Sequence, residues 1–128
     1  MYGRDQYQQA ATHTASPAQL VLMLFDGALV RLEVAQDAIA EGRIGQAHEA
    51  IVRVQAIVDE LQVSLDHDRG GSIAANLASL YAYCTRLLLE GNVRKDTAPL
   101  AEVAGILQGL RDAWDLGVVR GGSVAVAG

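Results

Sequence analysis

From Leu20 to Phe25 six large apolar side chains come one after another without a polar break, Leu20-Val21-Leu22-Met23-Leu24-Phe25. At 100° per residue such a run points all round a helix, whereas a helix on the surface of a globular protein ordinarily offers one apolar stripe. The segment ahead of it, Ser16-Pro17-Ala18-Gln19, has the form of a capping box with proline in the first turn. These signals predict a first helix from Pro17 that stops before Gly42. A second seam steps by threes and fours through Ile44, Ala47, Ile51, Val54, Val58, Leu61 and Leu65, and is expected to end at Arg69-Gly70-Gly71. Ser72 is placed to cap a third helix, with a seam of Ile73, Leu77, Leu80, Cys84 and Leu87 closed by Gly91-Asn92. Asp96 is placed to cap a fourth, with Pro99 in its first turn and a seam of Leu100, Val103, Leu107, Leu110 and Trp114.

β-Branched residues fall at helical rather than alternating spacing, and the connections are short, so neighbouring helices run antiparallel. The expected fold is all-α, an up-down-up-down four-helix bundle. It is divided into a polar N-terminal cap segment over 1–15, the bundle over 16–117, and a flexible Gly-, Val- and Ala-rich tail over 118–128.

Projecting the first helix separates two apolar stripes. Val21, Phe25, Ala28, Leu32, Ala35 and Ile39 form one, suited to a bundle core. Met23, Gly27, Val30 and Val34 lie almost opposite, and a four-helix bundle has no interior left for them. Three coverings are open: the N-terminal segment folded back with Tyr7 as a lid, a second copy of the chain, or a different protein. In the third helix Tyr81 and Tyr83 flank the seam, where a ring packs while its hydroxyl stays wet. A groove edged this way suits an amphipathic peptide; two ordinary boundary tyrosines would give the same pattern.

Composition narrows the functional classes. With 128 residues, half of them hydrophobic, and a net charge of -5, the chain is one globular domain without the basic face a nucleic acid requires. No apolar run reaches the ~20 residues of a membrane span, and no secretory leader is recognisable, so an intracellular location is expected and no membrane insertion. Cys84 has no partner cysteine and reads as a buried thiol.

Candidate chemistry is sparse. None of His13, His48 and His67 stands three residues after a glutamate, as a di-metal bundle requires. His48 has Glu49 beside it and no lysine nearby. Asp66-His67-Asp68 is read as the solvated exit of the second helix. Phosphate-cradling loops, nucleophile elbows and paired-cysteine motifs are absent, so no enzyme, metal or cofactor is expected. Residue patterning reaches a helical binding module with a removable cover, and names no partner.

From Tyr7 to Trp114 the chain resembles the flagellin-specific export chaperone family, FliS. The likeness runs through Tyr7-Gln8-Gln9, Ser16-Pro17, Leu20, Met23-Leu24-Phe25 and Asp26-Gly27-Ala28-Leu29. It continues through Ile57, Glu60-Leu61, Ser64-Leu65, Gly70-Gly71, Ile73-Ala74, Asn76-Leu77 and Leu80-Tyr81-x-Tyr83. It closes on Asn92, Asp96 and Leu110-Arg111-x-Ala113-Trp114. Phe25 stands where members often carry Tyr, and Gly91 where Ala is common; the tail beyond Trp114 matches nothing in the pattern.

The resemblance implies a cytoplasmic chaperone that binds the C-terminal segment of flagellin, disordered in the monomer and helical in the filament. It also implies N-terminal residues that cover an apolar site and move aside, and the flagellar export gate as a further partner. Tyr7 and Gln8 are the expected cover. Met23, Val30 and Val34, with Asn76, Tyr81 and Tyr83, are the expected groove residues, chosen by helical projection and not by a family motif. The free chain is expected to be a monomer or weak dimer. The competing reading is a homo-oligomeric bundle or adaptor that uses the second stripe for self-association.

Overall fold

The computed structural model describes residues 15–121. Four helices succeed one another, α1 over Pro17–Ala40, α2 over Ile44–Val63, α3 over His67–Arg94 and α4 over Thr97–Trp114, and a π-helical turn covers Asp115–Arg120. Contacts join α1 to α2, α2 to α3, α3 to α4 and α4 back to α1, which closes the antiparallel ring of an up-down-up-down bundle.

Local chemistry sets the helix ends. The Ser16 hydroxyl accepts from the Gln19 amide at 3.1 Å while the Gln19 side chain accepts from the Ser16 amide at 2.8 Å, so the capping box is complete, with Pro17 in the first turn. Gly42, at φ 76°, reverses the chain between α1 and α2 in a conformation that disfavours a β-carbon. Asp96 caps α4 by accepting from the Ala98 amide.

The joint between α2 and α3 differs from the sequence expectation. α2 stops at Val63, well before Arg69-Gly70-Gly71, and Leu65 lies in the linker. Asp66-His67-Asp68 therefore open α3 instead of closing α2, and the Asp66 carboxylate, not Ser72, caps the new helix by accepting from the Arg69 amide at 3.1 Å. Gly71 (φ 52°, ψ -124°) breaks the helix one turn in. The glycine pair is thus a kink inside α3, and polar spacing alone gives the same signal for a kink as for a helix end.

The far end of α3 also runs on. Gly91-Asn92 lie within the helix, which continues to Arg94 and ends on Lys95 in the left-handed conformation. The Lys95 ammonium donates to the Asn92 carbonyl at 2.7 Å and to its side-chain oxygen at 2.8 Å, which holds a non-glycine residue at φ 52°. Beyond Trp114 the chain stays helical to Arg120 and buries Val118, so the expected tail boundary at 117/118 falls inside an ordered turn.

The core takes Phe25, Ala28, Leu32 and Ala35 from α1, Ile51, Val54, Val58 and Leu61 from α2, Tyr81, Cys84, Leu87 and Leu88 from α3, and Leu100, Val103 and Leu107 from α4. Those α1 residues belong to the first of the two stripes. Ile44 and Ile73, assigned to seams, are about half exposed.

Candidate binding surfaces

Two apolar features stand out among the described residues. On the outer face of α1, Met23 is 60%, Val30 63% and Val34 37% exposed. Gly27 lies between them, and a β-carbon there would be 3.7 Å from Cδ1 of Ile57 on α2. At Gly27 the α1 backbone therefore faces Ile57 of α2 at ordinary contact distance, with Met23 and Val30 one turn to either side. Exposed apolar residues arranged contiguously mark interaction surfaces more than scattered ones do.

The second feature is a cavity of ≈ 200 Å³ at the end of the bundle where α1 begins and α4 ends. Its principal walls are Val21 and Phe25 of α1, Leu77 and Tyr81 of α3, and Leu110 and Trp114 of α4. Ile73 lines it from the exposed side, just past the Gly71 kink, and Gly117 and Val118 of the π turn complete it. The sequence pattern puts most of these residues in closed seams and gives no direct sign of a cavity. The nearest signal is Gly70-Gly71, whose kink separates the first turn of α3 from the rest of the helix.

α4 is fastened to α1 beside this cavity. Trp114 Nε1 donates to the Ala18 carbonyl at 2.8 Å, and Arg111 Nε donates to Asp26 Oδ1 at 2.9 Å. Arg111 also faces Asp112 and Asp115, so it serves three carboxylates, and these raise its already high pKa further, the Asp26 hydrogen bond most.

The expected groove residues are not brought together on one surface. Met23, Val30 and Val34 share the α1 face, whereas α3 lies diagonally across the ring from α1. Asn76 is exposed on α3. Tyr81 is 3% exposed; its ring belongs to the core and the cavity wall rather than to the wet edge of a seam. Burial pushes its phenol up to about 12, with Cys84 adding to the effect. Tyr83 is half-buried and donates to Glu102 of α4, with the Arg86 guanidinium 5.6 Å from the ring centroid. The Glu102 hydrogen bond raises the Tyr83 pKa; the residue ties α3 to α4. Tyr7 and Gln8 lie outside the described residues.

Cys84 is fully buried, and burial pushes its thiol up to about 11. Among the described residues no group of histidine, cysteine and carboxylate side chains is placed to hold a metal ion, and no helix is long and apolar enough to cross a membrane.

A closed helical ring with a surplus apolar face and a cavity at one end defines a helical binding protein. The chain matches the family model "Flagellar protein FliS" over residues 1–119, which carries the likeness past Trp114 and across the N-terminal segment. It is 40% identical over 107 residues to the flagellar secretion chaperone FliS of Salmonella typhimurium, covering 83% of this chain and 79% of that protein. It is 36% identical over 108 residues to the FliS of Bacillus subtilis, covering 84% and 80%. Against the flagellar secretion chaperone FliSB of Pseudomonas aeruginosa it is 35% identical over 119 residues, 90% and 94%. The chain belongs to the FliS family of flagellar secretion chaperones.

Proposed function

We propose that this protein is a cytoplasmic export chaperone that binds the C-terminal segment of flagellin, keeps it from polymerising early and hands it to the flagellar export gate. The observation that carries the reading is the exposed α1 face of Met23, Val30 and Val34 in a chain whose relatives are named flagellar secretion chaperones. An amphipathic guest that is disordered when free folds as it lays its apolar side on such a face, and the side that would assemble a filament is then occupied. Ordering that guest costs several kcal/mol, which limits affinity for a given area and favours later release. Release needs no nucleotide, only competition for the same apolar surface. Tyr7 and Gln8 are the cover that moves aside, and Asn76, exposed on α3, belongs to the side of the bundle where a wrapped guest continues, whereas Tyr81 supports that side from the core.

The test is a calorimetric titration of the full chain with a synthetic peptide of the flagellin C-terminal segment, combined with circular dichroism. A one-to-one complex with more helix than the sum of its parts is expected. Absence of heat, together with a light-scattering mass that rises with concentration, would replace this reading with the self-associating bundle.

A further inference from the structure

The cavity at the end of the bundle has no charged residue in its walls. Among its lining residues only Ser64, Tyr81 and Trp114 have polar side chains; the rest are aliphatic, aromatic or glycine. Two of those three polar groups are already engaged. Ser64 Oγ donates to the Leu61 carbonyl at 2.7 Å, and Trp114 Nε1 donates to the Ala18 carbonyl at 2.8 Å. The third is the hydroxyl of Tyr81, a residue 3% exposed, and it has no hydrogen-bond partner among the described residues. A buried hydroxyl left unpaired costs free energy that a guest with one polar atom recovers. The rings of Phe25, Tyr81 and Trp114 come from α1, α3 and α4, so the site is built by the closed ring of helices and not by one face.

We propose that this cavity is a binding site for one small, uncharged aromatic molecule, a single ring bearing one polar substituent that hydrogen-bonds the Tyr81 hydroxyl. Size sets the ring: an apolar cavity of about 150 Å³ lined by Leu, Ile and Phe stays dry and takes benzene, so the ≈ 200 Å³ here has room for a ring and one further group. Wall chemistry sets the class. Aromatic walls favour a ring stacked with an offset or met edge-on, whereas a charged group would lose its water and meet no opposite charge. Polarity sets the orientation, because one unengaged hydroxyl in an apolar site fixes where the guest's polar atom lies. The α1 walls, Val21 and Phe25, belong to the inner stripe, almost opposite Met23, Val30 and Val34. The site is therefore separate from the outer α1 face and from any guest bound there.

Trp114 is the chain's single tryptophan and stands in the cavity wall, so its emission reports a molecule entering here. The full chain, with no flagellin peptide present, is titrated with toluene, phenol and benzoate. Saturable binding at one site per chain is expected for toluene and phenol, and none for benzoate. Tyr81→Phe keeps the ring and removes the hydroxyl, and is expected to lower the phenol-to-toluene affinity ratio about fivefold at wild-type helicity. Val21→Phe fills the cavity from α1 and is expected to abolish both responses; Leu77→Phe does the same from α3 should the first variant fail to fold by circular dichroism. Absence of saturable toluene and phenol binding to the wild type would overturn the proposal. So would an unchanged ratio in Tyr81→Phe, equal binding of benzoate, or wild-type affinity in a folded cavity-filling variant.

Discussion

Leu100 occupies the space that a side chain on Gly91 would need. A β-carbon on residue 91 would lie 2.8 Å from Leu100 Cδ2 and 3.1 Å from its Cγ, with the Asp96 carbonyl oxygen at 3.3 Å. Both residues are buried, and Leu100 is in the first turn of α4, so the glycine sets how closely the α3–α4 corner closes. Ala is the better helix former by about 1 kcal/mol, but overpacking a closed site costs about 1–3 kcal/mol. Moving Cδ2 alone would not relieve the contact with Cγ. Gly91→Ala is therefore expected to lower stability by about 1 kcal/mol in urea denaturation, and the double variant Gly91→Ala, Leu100→Ala to lose less than the sum of the two single losses, because the truncated side chain no longer clashes. A stabilised Gly91→Ala would mean that the corner relaxes freely.

The Trp114 indole and Arg111 guanidinium hold α4 on α1 by bonds of different kinds, and salt separates them. The Asp26–Arg111 pair is partly exposed, so Asp26→Asn is expected to lower the urea midpoint slightly at low salt and less still at high salt. Trp114→Phe keeps a ring in the cavity wall but deletes the donor to Ala18. A loss of about 1–2 kcal/mol, insensitive to salt, is expected in the same denaturation assay.

How much of the fold was legible in the sequence depended on how local each signal is. The Ser16 box and Asp96 cap are satisfied within three residues, and the seams repeat every turn, so helix existence and the α1 core stripe could be read directly. Leu65 and Gly91 could not be placed the same way. A glycine pair marks a helix end or a kink equally well, and Asp66 became a cap only because α2 stopped early at Val63. Tyr81 and Tyr83 are near neighbours on one helix, yet one is core and the other is bonded to Glu102. That difference comes from where α4 lies, which no helical projection of α3 contains. The cavity was hidden for the same reason: its walls come from separate helices and a π turn.

The buried phenol of Tyr81 makes stability depend on alkaline pH. Its pKa rises from 10.0 to about 12 on folding because the charged form is penalised by burial. The stabilising contribution is thus complete below pH 10 and is lost as pH climbs through 12, a linkage of about 2–3 kcal/mol. Cys84, raised from 9.0 to about 11, adds a drop that begins about one pH unit lower. Tyr81→Phe is expected to unfold at nearly the wild-type urea concentration at pH 7, and to lose less stability than wild type between about pH 9.5 and pH 11.5. An identical fall in both proteins would assign the alkaline transition to other groups.

Charge placed on α1 separates surface from core. Val30 is 63% exposed, so Val30→Asp meets water rather than packed side chains and is expected to shift stability by no more than about 0.5 kcal/mol. Met23→Asp, also exposed, should behave alike. If the α1 face receives flagellin, each variant must still desolvate its carboxylate against an apolar guest, and binding to the C-terminal peptide is expected to weaken at least tenfold. Leu61 is fully buried on α2, and Leu61→Asp is expected to unfold the bundle outright because nothing there pairs with the charge. Circular dichroism melts of all three, then calorimetry on those that stay folded, distinguish the outcomes. Folded Met23→Asp and Val30→Asp with wild-type affinity would remove the α1 face from the binding surface. Because Val34 is less exposed and lies one turn further along the same face, Val34→Asp should then show whether the guest engages only the Gly27 end or the whole stripe. A tenfold loss at residues 23 and 30 beside a smaller loss at 34 would centre the contact on the Gly27 end of the stripe.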